Sequence, residues 1–202
     1  MSHRFRGLVT AAAAAMVLFA ASGPGSARNF SLSETHFMTG WAAMTFAGGE
    51  ISVRCPVVVE GSFHNRTFTK TAGALVGYVG LAVSTEGSCS GGRVIVKEES
   101  LPWHVRYDSF TGTLPNITAV KLQLIGARIA TEVLGIRCEY LSSATEPLVV
   151  KAIVTSGAMR EIEPLGERTI RGTGGIFCPA AAPSGVSGTS ESEAAPITIT
   201  LI

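Results

Sequence analysis

The sequence predicts an all-β fold, an antiparallel β-sandwich or barrel-like sheet stapled by two disulfides. Three observations lead there. Short apolar runs rich in Val, Ile and Thr alternate with turn clusters containing Gly, Pro and Asn. The chain carries four cysteines, an even count, behind a leader suited to export. No segment sustains a 3.6-residue apolar period with caps at its ends. Many short strands at such spacing suit a sandwich or a barrel.

The leader comes first in the chain. His3, Arg4 and Arg6 precede an apolar stretch from Leu8 to Ala21, followed by Ser22, Gly23, Pro24, Gly25, Ser26 and Ala27. A basic start, an apolar middle and a small-residue exit are what a secretory signal peptide needs. Gly25 and Ala27 supply small side chains at the −3 and −1 positions, which places cleavage after Ala27. The apolar middle, about 14 residues, is short of the ~20 that span a bilayer as a helix. Residues 1–27 are therefore expected to be a signal peptide and residues 28–202 a single β domain. Without Arg4 and Arg6, 14 Lys and Arg face 15 Asp and Glu, a net charge of −1. That balance offers no long-range attraction for nucleic acid. No later apolar run predicts a membrane span.

Strand signals then follow in order. Ile51–Val59 carries Cys55-Pro56, and a proline within a strand implies an edge or a bulge. Ala74–Val83 is almost wholly apolar, as in a strand buried on both faces. Val94–Lys97, Trp103–Tyr107, Ile117–Leu124, Ile136–Tyr140, Leu148–Thr155, Ile176–Cys178 and Ile197–Ile202 complete the set. Residues 179–196, rich in Ala, Ser, Gly and Pro, read as a flexible loop. The clean alternation of Ile197–Ile202 beyond it predicts a strand pinned into a sheet.

Two disulfides from four cysteines allow three connectivities. Val53-Arg54-Cys55 and Ile136-Arg137-Cys138 share an apolar–Arg–Cys tripeptide, and each is followed by a Gly-associated cysteine, Cys89 and Cys178. This faint echo favours Cys55–Cys89 and Cys138–Cys178. None of the four sits in a C-x-x-C or C-x-x-H pair, so structural zinc is not expected.

Catalytic patterns are sparse. Asp108 is the single aspartate of the chain, and no G-x-S-x-G, H-E-x-x-H or phosphate-binding loop is present. One segment concentrates polar chemistry. If Trp103–Asp108 is a strand, Trp103, Val105 and Tyr107 face one side, while His104, Arg106 and Asp108 face the other. That row could offer an imidazole, a cation and a carboxylate to a ligand, with Arg106 within reach of Asp108 or His104. It is equally the wet face of an ordinary antiparallel strand. His64, in a polar hairpin between Phe63 and Phe68, could join His104 on a metal only if folding brings them together. Glu98-Glu99 and the Glu161, Glu163 pair read as solvated charges. His64, His104, Arg106 and Asp108 are the candidate binding residues; no catalytic residue, metal or cofactor is assigned. The triplets at Asn29, Asn65 and Asn116 match glycan acceptor sites of a eukaryotic pathway.

The leader, the Cys55-Pro56 strand, Gly61-Ser62-Phe63-His64 and the run from Leu101-Pro102-Trp103-His104 through Gly112-Thr113-Leu114-Pro115-Asn116-Ile117 together resemble a group of secreted actinobacterial all-β proteins with two disulfides. The resemblance extends over about Phe30 to Ile202. It implies export and a two-disulfide β domain, and it places no residue in a catalytic role. The expected function is a secreted, non-enzymatic extracellular or cell-surface module with a binding or structural role, its partner a cell-surface polymer or protein. One alternative is a secreted hydrolase assembled around His104, Arg106 and Asp108, with His64 or Glu60. Another is a secreted inhibitor or effector presenting residues 179–196. Intact-mass measurement of the exported protein tests the premise. The mass should match residues 28–202 less four hydrogens and rise by four hydrogens on reduction; four free thiols would overturn it.

Overall fold

A computed structural model describes residues 29–48, 51–85, 87–166, 170, 172–185, 188–191 and 195–202; the expected leader lies outside them. The strands in chain order are β1 (Asn29–Leu32), β2 (His36–Gly48), β3 (Ile51–Phe63), β4 (Thr67–Thr69), β5 (Leu75–Ser84), β6 (Arg93–Val96), β7 (Trp103–Thr113) and β8 (Asn116–Ile125). They continue as β9 (Arg128–Val133), β10 (Ile136–Leu141), β11 (Leu148–Thr155), β12 (Ala158–Leu165), β13 (Gly172–Thr173), β14 (Ala182–Gly185), β15 (Gly188–Glu191) and β16 (Ile199–Leu201). A 3₁₀ turn at Glu98–Ser100 is the only helical element among the described residues.

The main sheet runs β14-β2-β15-β12-β11-β8-β7-β5-β3, and β2 also pairs with β3. The sheet thus curls round on itself into a nearly closed, antiparallel, barrel-like layer. Closure forces the period-2 rule on every strand: one set of side chains must fill the interior. Trp103, Val105 and Tyr107 of β7 are all buried, as their alternation predicts, and they meet Val57, Val59, Val79, Leu122 and Val150 inside one apolar core. The seam between β12 and β15 is short, with only the pairs Glu161↔Thr189 and Ile162↔Gly188. Trp41 of β2 crosses it, donating its indole N–H to the Ile162 carbonyl at 2.8 Å. That buried donor would otherwise lack a partner.

Two small sheets cover the ends. At one end lies β13-β10-β9-β6, whose Val94 and Ile129 join the core beside the start of β3 and the end of β5. At the other, β16-β1-β4 brings Phe30 into ring contact with Phe68, Tyr107 and Phe110 at 5.4 to 5.9 Å. Both expected disulfides form, Cys55–Cys89 and Cys138–Cys178, and both belong to the β6–β10 end. They enclose separations of 34 and 40 residues; loop-closure entropy gives each about 4 kcal/mol of stabilisation. The two echoing tripeptides fall in different sheets, one in the barrel and one in the end sheet.

Of the edge or bulge expected at Pro56 the bulge is found: Ala42 and Ala43 of β2 lie opposite Pro56, between the pairs of Trp41 and Met44. Several other expectations change. The apolar strand β5 is buried on one face only: irregular pairing at Leu75/Gly77 and opposite Glu60/Gly61 shifts its alternation and turns Leu75, Tyr78, Leu81 and Val83 outward. Ile176 to Cys178 is not a strand; β13 pairs with β10 instead and leaves Ile176 and Phe177 in the following turn. His64-Asn65-Arg66 is no hairpin loop, because β4 leaves the barrel to pair with β1. Within the segment expected as a loop, β14 and β15 both lie along β2. Strands β1, β2, β4, β9, β12 and β13 escaped the sequence reading, β2 because its two-residue irregularity breaks the alternation.

Phe30 is fully buried and stands at the centre of the aromatic cluster. Phe30→Ala should lower unfolding stability by ~3–5 kcal/mol, read from the urea midpoint at unchanged slope.

Candidate functional site

The four candidate residues lie on the outside of the barrel. His104 on β7 is exposed, and Arg106 and Asp108 are half-buried; His64 is exposed in the bend after β3. Asp108 falls at a register shift between Tyr107 and Ser109, which takes it out of step with the row of His104 and Arg106. Its carboxylate accepts hydrogen bonds from the Gln123 amide and from the Ser109 hydroxyl, the latter at 2.8 Å. Among the described residues no ion pair joins Arg106 to Asp108 or His104. The aspartate is occupied by its own sheet neighbours, an arrangement that braces β7 against β8.

His64 and His104 do come close to a common neighbour. Tyr78 of β5 is the direct cross-strand partner of His104, and its ring lies 5.9 Å from that of His64. The register continues this row outward as His36–Ser62–Tyr78–His104–Ile125. The three histidines outside the leader thus sit along one face, although three strand spacings put His36 and His104 ~14 Å apart. Among the described residues no three His, Cys, Asp or Glu side chains form a group able to hold a metal.

Beside this row lies a surface that the sequence reading missed. Met38 pairs with Glu60, and Glu60 with Leu81; in the next row Gly40 pairs with Val58, and Val58 with Val83. Met38, Tyr78, Leu81 and Val83 are 45, 39, 43 and 39 % exposed. The outer face of β2, β3 and β5 therefore carries exposed apolar side chains, interrupted by Ser62 and by Glu60 and His36, the last two 3.5 Å apart. A signal for it exists in Leu75–Val83, whose apolar content exceeds what one buried face requires. The glycines that displace its alternation concealed which side chains turn outward. Two further apolar side chains stand out at the disulfide-bearing end of the molecule: Leu134, at the tip of the β9–β10 hairpin, is 98 % exposed, and Ile176, two residues before Cys178, is 93 % exposed.

None of the four candidates lines either of two cavities in the barrel interior. General acid–base chemistry needs a substrate held against the acid and base with water restrained. A convex sheet face offers no wall for that purpose, whereas a face of exposed aliphatic side chains around one tyrosine can remove apolar surface of a partner from water. Comparison with known protein families, curated proteins and solved structures found no match.

One group behind this face has a shifted acidity. Burial raises the Tyr107 phenol above its ordinary 10.0, and the charge of neighbouring Asp108 adds to the effect. The folded state thus keeps a proton that the unfolded chain releases. Stability is fully present below pH 10.0 and is lost as pH rises through the higher, folded-state value. Thermal unfolding followed from pH 8 to 11 should show that decline in the wild type and a shallower one in Tyr107→Phe.

Proposed function

We propose that the protein is an exported, non-enzymatic β module that docks a protein partner on the outer face of β2, β3 and β5. The observation that carries this reading is the adjoining exposure of Met38, Tyr78, Leu81 and Val83 on a face already rigid through barrel pairing. Isolated exposed apolar residues are ordinary, but Leu81 and Val83 beside Val58, with Tyr78 on the same strand and Met38 across Glu60, form a cluster that points to an occupant. Aliphatic side chains outnumber aromatic ones there, which suits an apolar protein surface better than a sugar polymer, whose rings need stacking platforms and many polar partners.

Export is supported by the leader, by the resemblance to secreted actinobacterial proteins and by the cysteines. Two disulfides suit an oxidising compartment. No helix among the described residues is long and apolar enough to cross a membrane. The hydrolase alternative has less support, since His64, His104, Arg106 and Asp108 lie on the outer surface and line neither interior cavity. The inhibitor or effector alternative gains from places other than residues 179–196: the exposed Leu134 at the β9–β10 tip and the exposed Ile176 two residues before Cys178.

Binding of the labelled, purified domain to washed cells of its own host, with and without prior surface proteolysis, tests the proposal. Saturable, protease-sensitive binding should weaken at least tenfold in Leu81→Lys and stay unchanged in Leu134→Ser, both with wild-type circular dichroism. A loss confined to Leu134→Ser would move the site to the tip, and protease-resistant binding would assign the partner to a polymer.

A further inference from the structure

The inside of the barrel carries a feature that packing does not explain. Two cavities of about 50 and 40 Å³ lie along its axis, adjoining across Trp41, Val59, Leu124 and Val150. The second is lined by apolar side chains and the Trp41 and Trp103 rings. The first is lined by apolar side chains and one polar residue, Thr39. Thr39 is 6 % exposed, points inward between Phe37 and Trp41 on β2, and its hydroxyl has no hydrogen-bond partner among the described residues.

A buried hydroxyl without a partner destabilises a fold, and valine has the same shape without that cost. Water is a poor occupant. A single molecule needs ~10–15 Å³, which is available, but it also needs two to four polar partners, and this cavity offers one. A guest matching the lining is largely apolar and carries one group able to hydrogen-bond. Together the cavities provide about 90 Å³; at the ~10–15 Å³ that one water needs, this is roughly six to nine water-sized positions, room for a guest of about five non-hydrogen atoms.

Access lies at Phe37. Among the side chains lining the first cavity only Phe37 and Leu124 are half-buried; the others are buried. The Phe37 ring rests against Phe63 at a centroid distance of 5.3 Å, and a Cβ on Gly61 would come within 2.6 Å of its Cζ. The absent side chain at Gly61 is what makes room for this ring at the mouth.

We propose that the barrel interior binds a small apolar molecule bearing a single hydroxyl or carbonyl group, which Thr39 Oγ1 holds by a hydrogen bond. This goes beyond docking on the outer face, and it is tested on the purified domain with no partner present, so either can fail alone. The probes are 1-butanol and n-pentane, equal in non-hydrogen atoms and differing by one hydroxyl. Binding is read by saturation-transfer NMR and by fluorescence of Trp41, which lines both cavities. Wild type should bind both saturably and prefer the alcohol, relative to Thr39→Val, by about 3- to 10-fold, the span of one net hydrogen bond. Thr39→Val should lose that preference while binding the hydrocarbon at least as well. Ala152→Leu, which fills the first cavity, should abolish both; should it fail to fold, Thr39→Val decides. No saturable binding of either probe to wild type, or an alcohol preference that survives in Thr39→Val, overturns the proposal.

Discussion

The structure depends on one pairing, that of β2 with β3. These two strands of 13 residues meet along 11 register pairs, from His36↔Ser62 to Gly48↔Ile51. Without it the nine-stranded sheet is open, with two long edges whose backbone groups invite another chain. With it, every strand from β3 round to β12 acquires a definite inside. That inside is the reason Trp103, Val105 and Tyr107 must be apolar and His104 and Arg106 need not be. The pairing has one irregularity, between Trp41 and Met44 opposite Pro56; a second, between Glu60 and Gly61, lies on the other side of β3, in its pairing with β5.

Closure also separates two kinds of surface with different uses. The inner surface is sealed by side chains, and among the described residues the Thr39 hydroxyl is its one buried side-chain polar group without a partner. The outer surface is divided. Over β7 and β8 it is polar and partly bonded to itself: Asp108 is held by Gln123 and Ser109, and Thr111 meets Thr118 at 3.0 Å. Over β2, β3 and β5 it exposes Met38, Tyr78, Leu81 and Val83 beside the His36–Glu60 pair. Polar groups already bonded to one another, such as Asp108, have little left to offer a ligand. The apolar face keeps its hydrophobic free energy available for an intermolecular contact.

Much of the architecture was legible in the residues because it rests on period 2 and on cysteine chemistry. The alternation of Trp103 to Tyr107 placed β7 with its correct face inward, and the terminal Ile-Thr alternation placed β16 in a sheet. The Arg-Cys echo pointed to the right partners for Cys55 and Cys138, although the halves it hinted at are not structurally alike. What stayed hidden involves departures from the period. A two-residue irregularity at Ala42 and Ala43 conceals β2, and the glycines of β5 convert what reads as a doubly buried strand into one with an exposed apolar face. The polar row of His104, Arg106 and Asp108 was visible, but the register shift that diverts Asp108 depends on the partner strand. No single segment encodes Thr39 as an unpartnered hydroxyl, since that property belongs to the opposing strands as much as to β2.

The covalent links are not spread evenly, and this gives the molecule a mechanical polarity. Both disulfides fasten the end formed by β6, β9, β10 and β13, while the end formed by β1, β4 and β16 is held by non-covalent contacts among the described residues, chiefly ladder hydrogen bonds and ring contacts. There Asn29 and Ile202 exchange backbone hydrogen bonds of 3.2 Å, at the same extremity of the β1–β16 ladder. Tension applied outward through those two residues would load that ladder one rung at a time, as in unzipping, rather than all rungs together in shear. The terminal sheet would peel away under a force that the cross-linked end resists. A chain tethered to a surface through either residue alone would bear no such load and would present the barrel intact.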